Sequence, residues 1–183
     1  STSRGLGDVY KRQIKDTTIK TTQNNGGEIT VSGKEIKIEG SSKLISQGEQ
    51  SGGLIQIGGS WQNSNPYIRQ AVYTEIGEDV FINASAKDHG NGGEIVIWSD
   101  IKNPFSSTVV SGTFKVDGGA LSGDGGRIET SGANLDIREN ISVSMGSTNG
   151  NPGKWLLDPE DYFVTSSVAT ALVNALASGD VEI

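Results

Sequence analysis

Three aspartates, Asp117, Asp124 and Asp136, stand close together along the chain. A pair of carboxylates, one ionised and one protonated, cleaves a glycosidic bond, and the same oxygens can hold a Ca²⁺ ion. All three are read as turn residues, however, where an aspartate caps backbone N–H groups, and that use is the favoured one. The run from Gly118 to Gly126 is only a poor copy of one Ca²⁺-binding nonapeptide, with no tandem partner. No catalytic residue, metal ligand or cofactor site is therefore assigned. His89, the single histidine, sits in the polar turn Lys87-Asp88-His89-Gly90-Asn91 and is expected to be solvated. Trp98 and Trp155 offer flat faces on which sugars stack. Trp155 precedes two leucines and is expected to be buried, whereas Trp98 fits the inward phase of Ile95 and Ile97 imperfectly and is the candidate ligand-facing residue. Asn83-Ala84-Ser85 and Asn140-Ile141-Ser142 match the glycosylation sequon, making Asn83 and Asn140 candidate modification sites.

The elements that must position these residues are short strands. Isoleucine and valine total 31 against 9 leucines, a bias toward pleated sheet. Glycine contributes 26 of 183 residues, about twice the usual share of roughly 7%, without a collagen period. Alternating runs begin at Gly26-Gly27, Gly52-Gly53, Gly92-Gly93 and Gly125-Gly126, at separations of 26, 40 and 33 residues. Spacings of this size mark solenoids, in which each strand pairs with its equivalent above and below. The predicted inward residues are Ile29, Val31, Ile36, Ile38, Ile55, Ile57, Val80, Ile82, Ile95, Ile97, Ile128, Leu135, Ile137, Ile141 and Val143. With about 20 to 25 residues per coil, about seven coils stack over roughly 35 Å. A β-sandwich is the structural alternative. Val168, Leu172 and Leu176 lie four apart and predict a helix from about Val168 to Ala177. Ser166 or Ser167 would cap it and Gly179 stop it, before a further strand at Asp180 to Ile183.

Charge and composition exclude other classes. The net charge is −7, with no basic stripe to attract phosphate backbones, so nucleic acid is not an expected partner. No apolar run is long enough to span a bilayer as a helix. The absence of cysteine rules out disulfides and Cys-based metal sites. Ser3 to Gln13 read as the in-frame translation of a transposase sequencing adapter, so residues 1–13 are expected to be non-native and disordered, with native sequence beginning near Ile14. That segment carries three basic residues and one acid, and without it the net charge is −9. The expected organisation is coils over 14–165, then a short helix and the start of a truncated strand over 166–183.

Three segments carry a family resemblance. Gly92-Gly93-Glu94-Ile95-Val96-Ile97-Trp98-Ser99-Asp100 resembles the Gly-Gly-led, Trp-Ser-Asp-ending segment of filamentous-haemagglutinin-like exoproteins. Gly118 to Gly132, ending Gly125-Gly126-Arg127-Ile128-Glu129-Thr130-Ser131-Gly132, is similar to the same family's glycine-rich Glu-Thr-Ser-Gly segment. Gly153-Lys154-Trp155-Leu156-Leu157-Asp158-Pro159 is similar to its Trp-Leu-Leu-Asp-Pro segment. They occur in family order over residues 92–183, about half of the chain; residues 14–91 share only the style of strand. The resemblance implies an all-β, right-handed parallel β-helix with one short C-terminal helix. It further implies an internal piece of a large Gram-negative surface protein, exported by an outer-membrane partner (two-partner secretion). The expected function is a structural shaft or adhesive segment that binds a host or neighbouring-cell glycan or protein at the outer surface. The alternatives are a β-helix polysaccharide lyase or glycosidase and the delivery stalk of a contact-dependent toxin.

Overall fold

The computed structural model describes residues 10–21, 23–160 and 164–183. Its fifteen first strands wind as five coils of three. The first coil is β1 (Lys11–Lys15), β2 (Thr18–Lys20) and β3 (Glu28–Val31); the second is β4 (Glu35–Glu39), β5 (Lys43–Ile45) and β6 (Leu54–Ile57). The third is β7 (Tyr73–Ile76), β8 (Phe81–Asn83) and β9 (Glu94–Trp98), and the fourth is β10 (Ser107–Val110), β11 (Thr113–Lys115) and β12 (Arg127–Gly132). The fifth is β13 (Asn134–Ile137), β14 (Ser142–Ser144) and β15 (Gly153–Pro159), followed by helix α1 (Ser166–Leu176) and β16 (Gly179–Glu182). Strands stack only on their equivalents, giving three wholly parallel sheets: β1-β4-β7-β10-β13, β2-β5-β8-β11-β14 and β3-β6-β9-β12-β15-β16. This is a parallel β-helix. We call the three sheets the first, second and third in that order.

The glycine pairs explain the register. Glu28 pairs with Leu54, Leu54 with Glu94 and Glu94 with Arg127, so the spacings of 26, 40 and 33 residues are the coil lengths measured along the third sheet. Gly26, Gly52, Gly92 and Gly125 form one column at the corner entering that sheet. A Cβ on Gly92 would strike the Val116 carbonyl and the Gly126 backbone, and one on Gly52 would strike the Ala84 carbonyl and Gly93. Backbone packed this closely on backbone leaves no space for a side chain.

The core fills the tube between the sheets. Thirteen of the fifteen predicted inward residues are buried, and Leu135 and Val143 are partly buried against the same cluster. Leu44, Ile76, Val110, Phe114, Val116 and Met145 join them. Each such side chain contributes roughly 1.5–3 kcal/mol by leaving water. Two inward positions of the first sheet are threonines. Thr74 donates to the Trp98 carbonyl at 2.7 Å and Thr108 to the Ser131 carbonyl at 2.8 Å, so both hydroxyls are satisfied while fully buried.

Several expectations change. The coils number five rather than seven, because loops lengthen them: equivalent residues of the first sheet are 24, 38, 34 and 27 apart. The six-stranded third sheet is accordingly roughly 24 Å deep. Lys11, Arg12 and Gln13 are not disordered but pair with Glu35, Ile36 and Lys37, because a sheet edge recruits extended chain through backbone groups alone; residues 1–9 of that expectation lie outside the described residues. The N-cap of α1 is Thr165, whose hydroxyl accepts the Val168 N–H, and Gly179 opens β16 instead of ending the helix. The buried helix face is Val168, Ala171, Leu172 and Ala175, while Leu176 is 56% exposed. With 3.6 residues per turn, a strict four-residue repeat drifts off the face. The helix replaces the sixth coil's strands in the first and second sheets and adds its apolar face to the core.

Candidate functional site

The third sheet carries all three family-like segments, on β9, β12 and β15, and its outer face is the most built part of the surface. Alternation along β9 and β12 turns Val96, Trp98, Glu129 and Ser131 away from the core. An outward face would ordinarily be wet, yet all four are buried. The cover is the long segment from Gly58 to Val72. Its Gly59 packs on the Trp98 ring, where a Cβ would overlap the indole, and its Gln70 side-chain carbonyl accepts the Trp98 Nε1–H at 3.0 Å. Trp98 is thus no exposed platform: it is 3% exposed beneath a strap. Trp61 of the strap lies over the Arg127 guanidinium, 4.1 Å from ring centroid to charge, and Arg127 is paired with Glu94.

Glu129 is the centre of this arrangement. Its Oε2 accepts the backbone N–H of Gln62 at 2.8 Å and its Oε1 accepts the Ser131 hydroxyl at 3.0 Å. Gln62 and Asn63 hold left-handed backbone at φ 45° and 52°, so the strap's tight turn is fastened on the carboxylate at a strained point. Burial pushes the Glu129 pKa up to about 7, and the charges of Asp158 and Glu94 push the same way, against the two hydrogen bonds. Beside it in the same outward row, past Val96, the buried Gln56 Oε1 has no hydrogen-bond partner.

The other motif residues hold coil to coil. Trp155 is fully buried and its Nε1–H donates to the Thr130 hydroxyl at 3.1 Å. Leu157 is in the core, and Asp158 and Pro159 close β15 opposite Ser131 and Gly132. A Cβ on Gly132 would lie 2.5 Å from the Ser99 hydroxyl. Asp100 accepts the Lys102 N–H at 3.1 Å and starts the next loop. Gly93 and Gly126 continue the close stacking behind Gly92 and Gly125.

The three aspartates do not converge. Asp117 accepts the Gly146 N–H at 3.0 Å and the Ser144 hydroxyl at 2.5 Å. Asp124 accepts the Asn151 N–H at 2.7 Å at the glycine corner, and Asp136 pairs with Arg138 at 2.8 Å on the first sheet. The first two cap the next coil's backbone, as expected, whereas Asp136, expected to cap in the same way, forms an exposed ion pair because it lies on a strand with Arg138 two residues on. His89 is exposed and lies 3.1 Å from the Ser122 hydroxyl. Asn83 is buried and accepts the Ser85 N–H, so its amide is closed to modification in the folded coil. Asn140 is exposed, and its amide donates to Glu78 at 3.0 Å.

The sequence reading passed over one feature. Asn65-Pro66-Tyr67 and Asn103-Pro104-Phe105 form the same turn on consecutive coils. In each, the asparagine Oδ1 accepts the aromatic residue's N–H, at 3.0 and 3.1 Å. Its carbonyl accepts the N–H one residue further on, Ile68 at 3.2 Å and Ser106 at 2.8 Å. The repeated Asn-Pro-aromatic tripeptide was the available signal. Comparison with protein-family models and with curated proteins finds no match to this chain. Among the described residues no helix is long and apolar enough to cross a membrane.

Proposed function

We propose that this chain is a shaft and adhesive segment of a large secreted bacterial surface protein, of the filamentous-haemagglutinin-like type exported by an outer-membrane partner. The observation that carries the reading is the placement of the three family-like segments. They occupy the same strand of three successive coils, β9, β12 and β15, in one continuous register. Their distinctive residues do coil-to-coil work: glycines at the close corner, Trp155 in the core, Glu129 under the strap. A repeating unit whose distinctive residues serve stacking suits a spacer that carries surface loops outward. The dispersal of Asp117, Asp124 and Asp136 gives no support to the polysaccharide-cleaving alternative built on them.

The test uses the purified chain coupled to fluorescent beads and offered to mammalian epithelial and Gram-negative bacterial cells. Saturable attachment, competed by free chain, is expected. Release of unsaturated or reducing sugar from a polysaccharide panel, without attachment, would replace this reading with the enzymatic one.

A further inference from the structure

The twin turns carry a more specific reading. Tyr67 and Phe105 are 96% and 87% exposed, so neither ring contributes appreciably to the fold. Their backbones, by contrast, are fixed. Proline holds φ at the second position of each turn, and the asparagine locks the two residues that follow. The first turn is anchored where the Asn65 N–H donates to the Ser60 hydroxyl at 2.9 Å. The second is anchored from the next coil, where the Asn134 amide donates to the Pro104 and Ser106 carbonyls at 3.0 and 2.8 Å. The two loops are neighbours, joined by the Asp100 N–H to the Ala71 carbonyl at 2.8 Å and the Ser107 N–H to the Val72 carbonyl at 2.9 Å. Two exposed aromatic rings on rigid supports bind with little ordering cost.

The surroundings select the ligand class. A protein hot spot is a continuous apolar patch that is dried on binding. Here the residues leading into each turn are polar: Asn63 and Ser64 before the first, Asp100 and Lys102 before the second. An exposed aromatic ring carried on a polar loop matches a pyranose, whose C–H face stacks on the ring while its hydroxyls form hydrogen bonds to polar groups. We propose that Tyr67 and Phe105 form a two-ring platform for an extended oligosaccharide. This deepens the adhesive reading and rests on it.

The experiment compares the wild-type chain with Tyr67→Ala, Phe105→Ala, the double variant and Tyr67→Phe on an array of immobilised neutral and sialylated oligosaccharides, and on the cells used above. Because both rings are exposed, all variants should keep the wild-type melting temperature. Wild type is expected to bind at least one pyranose oligosaccharide. Each alanine should weaken it about tenfold and the pair about a hundredfold, and Tyr67→Phe should retain binding because stacking needs only the ring. Absence of wild-type binding anywhere on the array overturns the proposal, as does equal binding by the double variant. If cells are still held by the double variant, adhesion stands and the aromatic platform falls. If the double variant loses the cells but periodate oxidation of their glycans leaves wild-type attachment intact, the partner is a protein and the glycan assignment is wrong. If wild type attaches to neither glycans nor cells, the adhesive reading fails with it.

Discussion

Glu129 shows how one side chain can be legible as a motif letter and opaque as chemistry. In the sequence it is one position of Glu-Thr-Ser-Gly; in the fold it is a fully buried carboxylate that fastens a strained turn. Its pKa, raised to about 7 by burial, has a definite consequence for stability. A group bound more tightly to its proton in the folded state stabilises fully below its unfolded pKa, near 4.5. That contribution is lost as pH rises through the folded value. Stability should therefore fall between about pH 4.5 and 7, by on the order of 3 kcal/mol from this group. Glu129→Gln keeps an acceptor for Gln62 without the charge, so its melting temperature should lack this component. Thermal melts of both proteins at pH 5, 6, 7 and 8 measure the difference; parallel profiles would mean that the carboxylate is hydrated.

Elements here take their form from neighbours in space. The strands β5, β7 and β10 were not predicted, since Lys43-Leu44-Ile45, Tyr73-Thr74-Glu75-Ile76 and Ser107-Thr108-Val109-Val110 are too short or too polar to stand out from their surroundings. Each is held by pairing on both sides, β5 with β2 and β8, β7 with β4 and β10, and β10 with β7 and β13. The helix α1 follows the same logic, because its apolar face is defined by the open end of the tube. Leu172→Ala, which removes a buried side chain, should cost about 2–4 kcal/mol. Leu176→Ala, although in the predicted four-residue row, should stay within about 0.5 kcal/mol. Urea denaturation of the two variants distinguishes the faces, and equal losses would contradict the helix orientation.

The molecule as a whole is close to one-dimensional: each coil rests on the one before and after, and few groups act over greater distances. Exposed ion pairs such as Lys11–Glu35 and Lys37–Glu75 add little, so cohesion comes from the stacked core and the sheet hydrogen bonds. Backbone amide exchange should therefore be slowest in the central strands β7 to β12 and faster toward β1, β2 and β16, where one neighbour is missing. Mass-spectrometric hydrogen exchange on peptides spanning each coil reads this gradient. Uniform protection from β1 to β16 would instead indicate a single all-or-none unit.

Much of this architecture was legible in the chain. Alternating isoleucine and valine identified the inward positions, because a side-chain period of two is a local property of extended backbone. The glycine pairs marked the corner entering the third sheet, because only glycine fits where backbones meet; that their separations are the coil lengths emerged only from the register. Asp117 and Asp124 were legible as turn caps, because a short carboxylate at a turn reaches nearby backbone N–H groups, whereas Asp136, read alike, pairs with Arg138. The loops were not legible. The coil count, the strap over Trp98, the burial of Asn83 and the outward presentation of Tyr67 and Phe105 all depend on what one coil places beside residues 24 to 40 positions away in the next. Periodicity states which side of a strand a residue faces. Whether that side is wet is settled only when a distant segment folds over it, and that contact has no local signature.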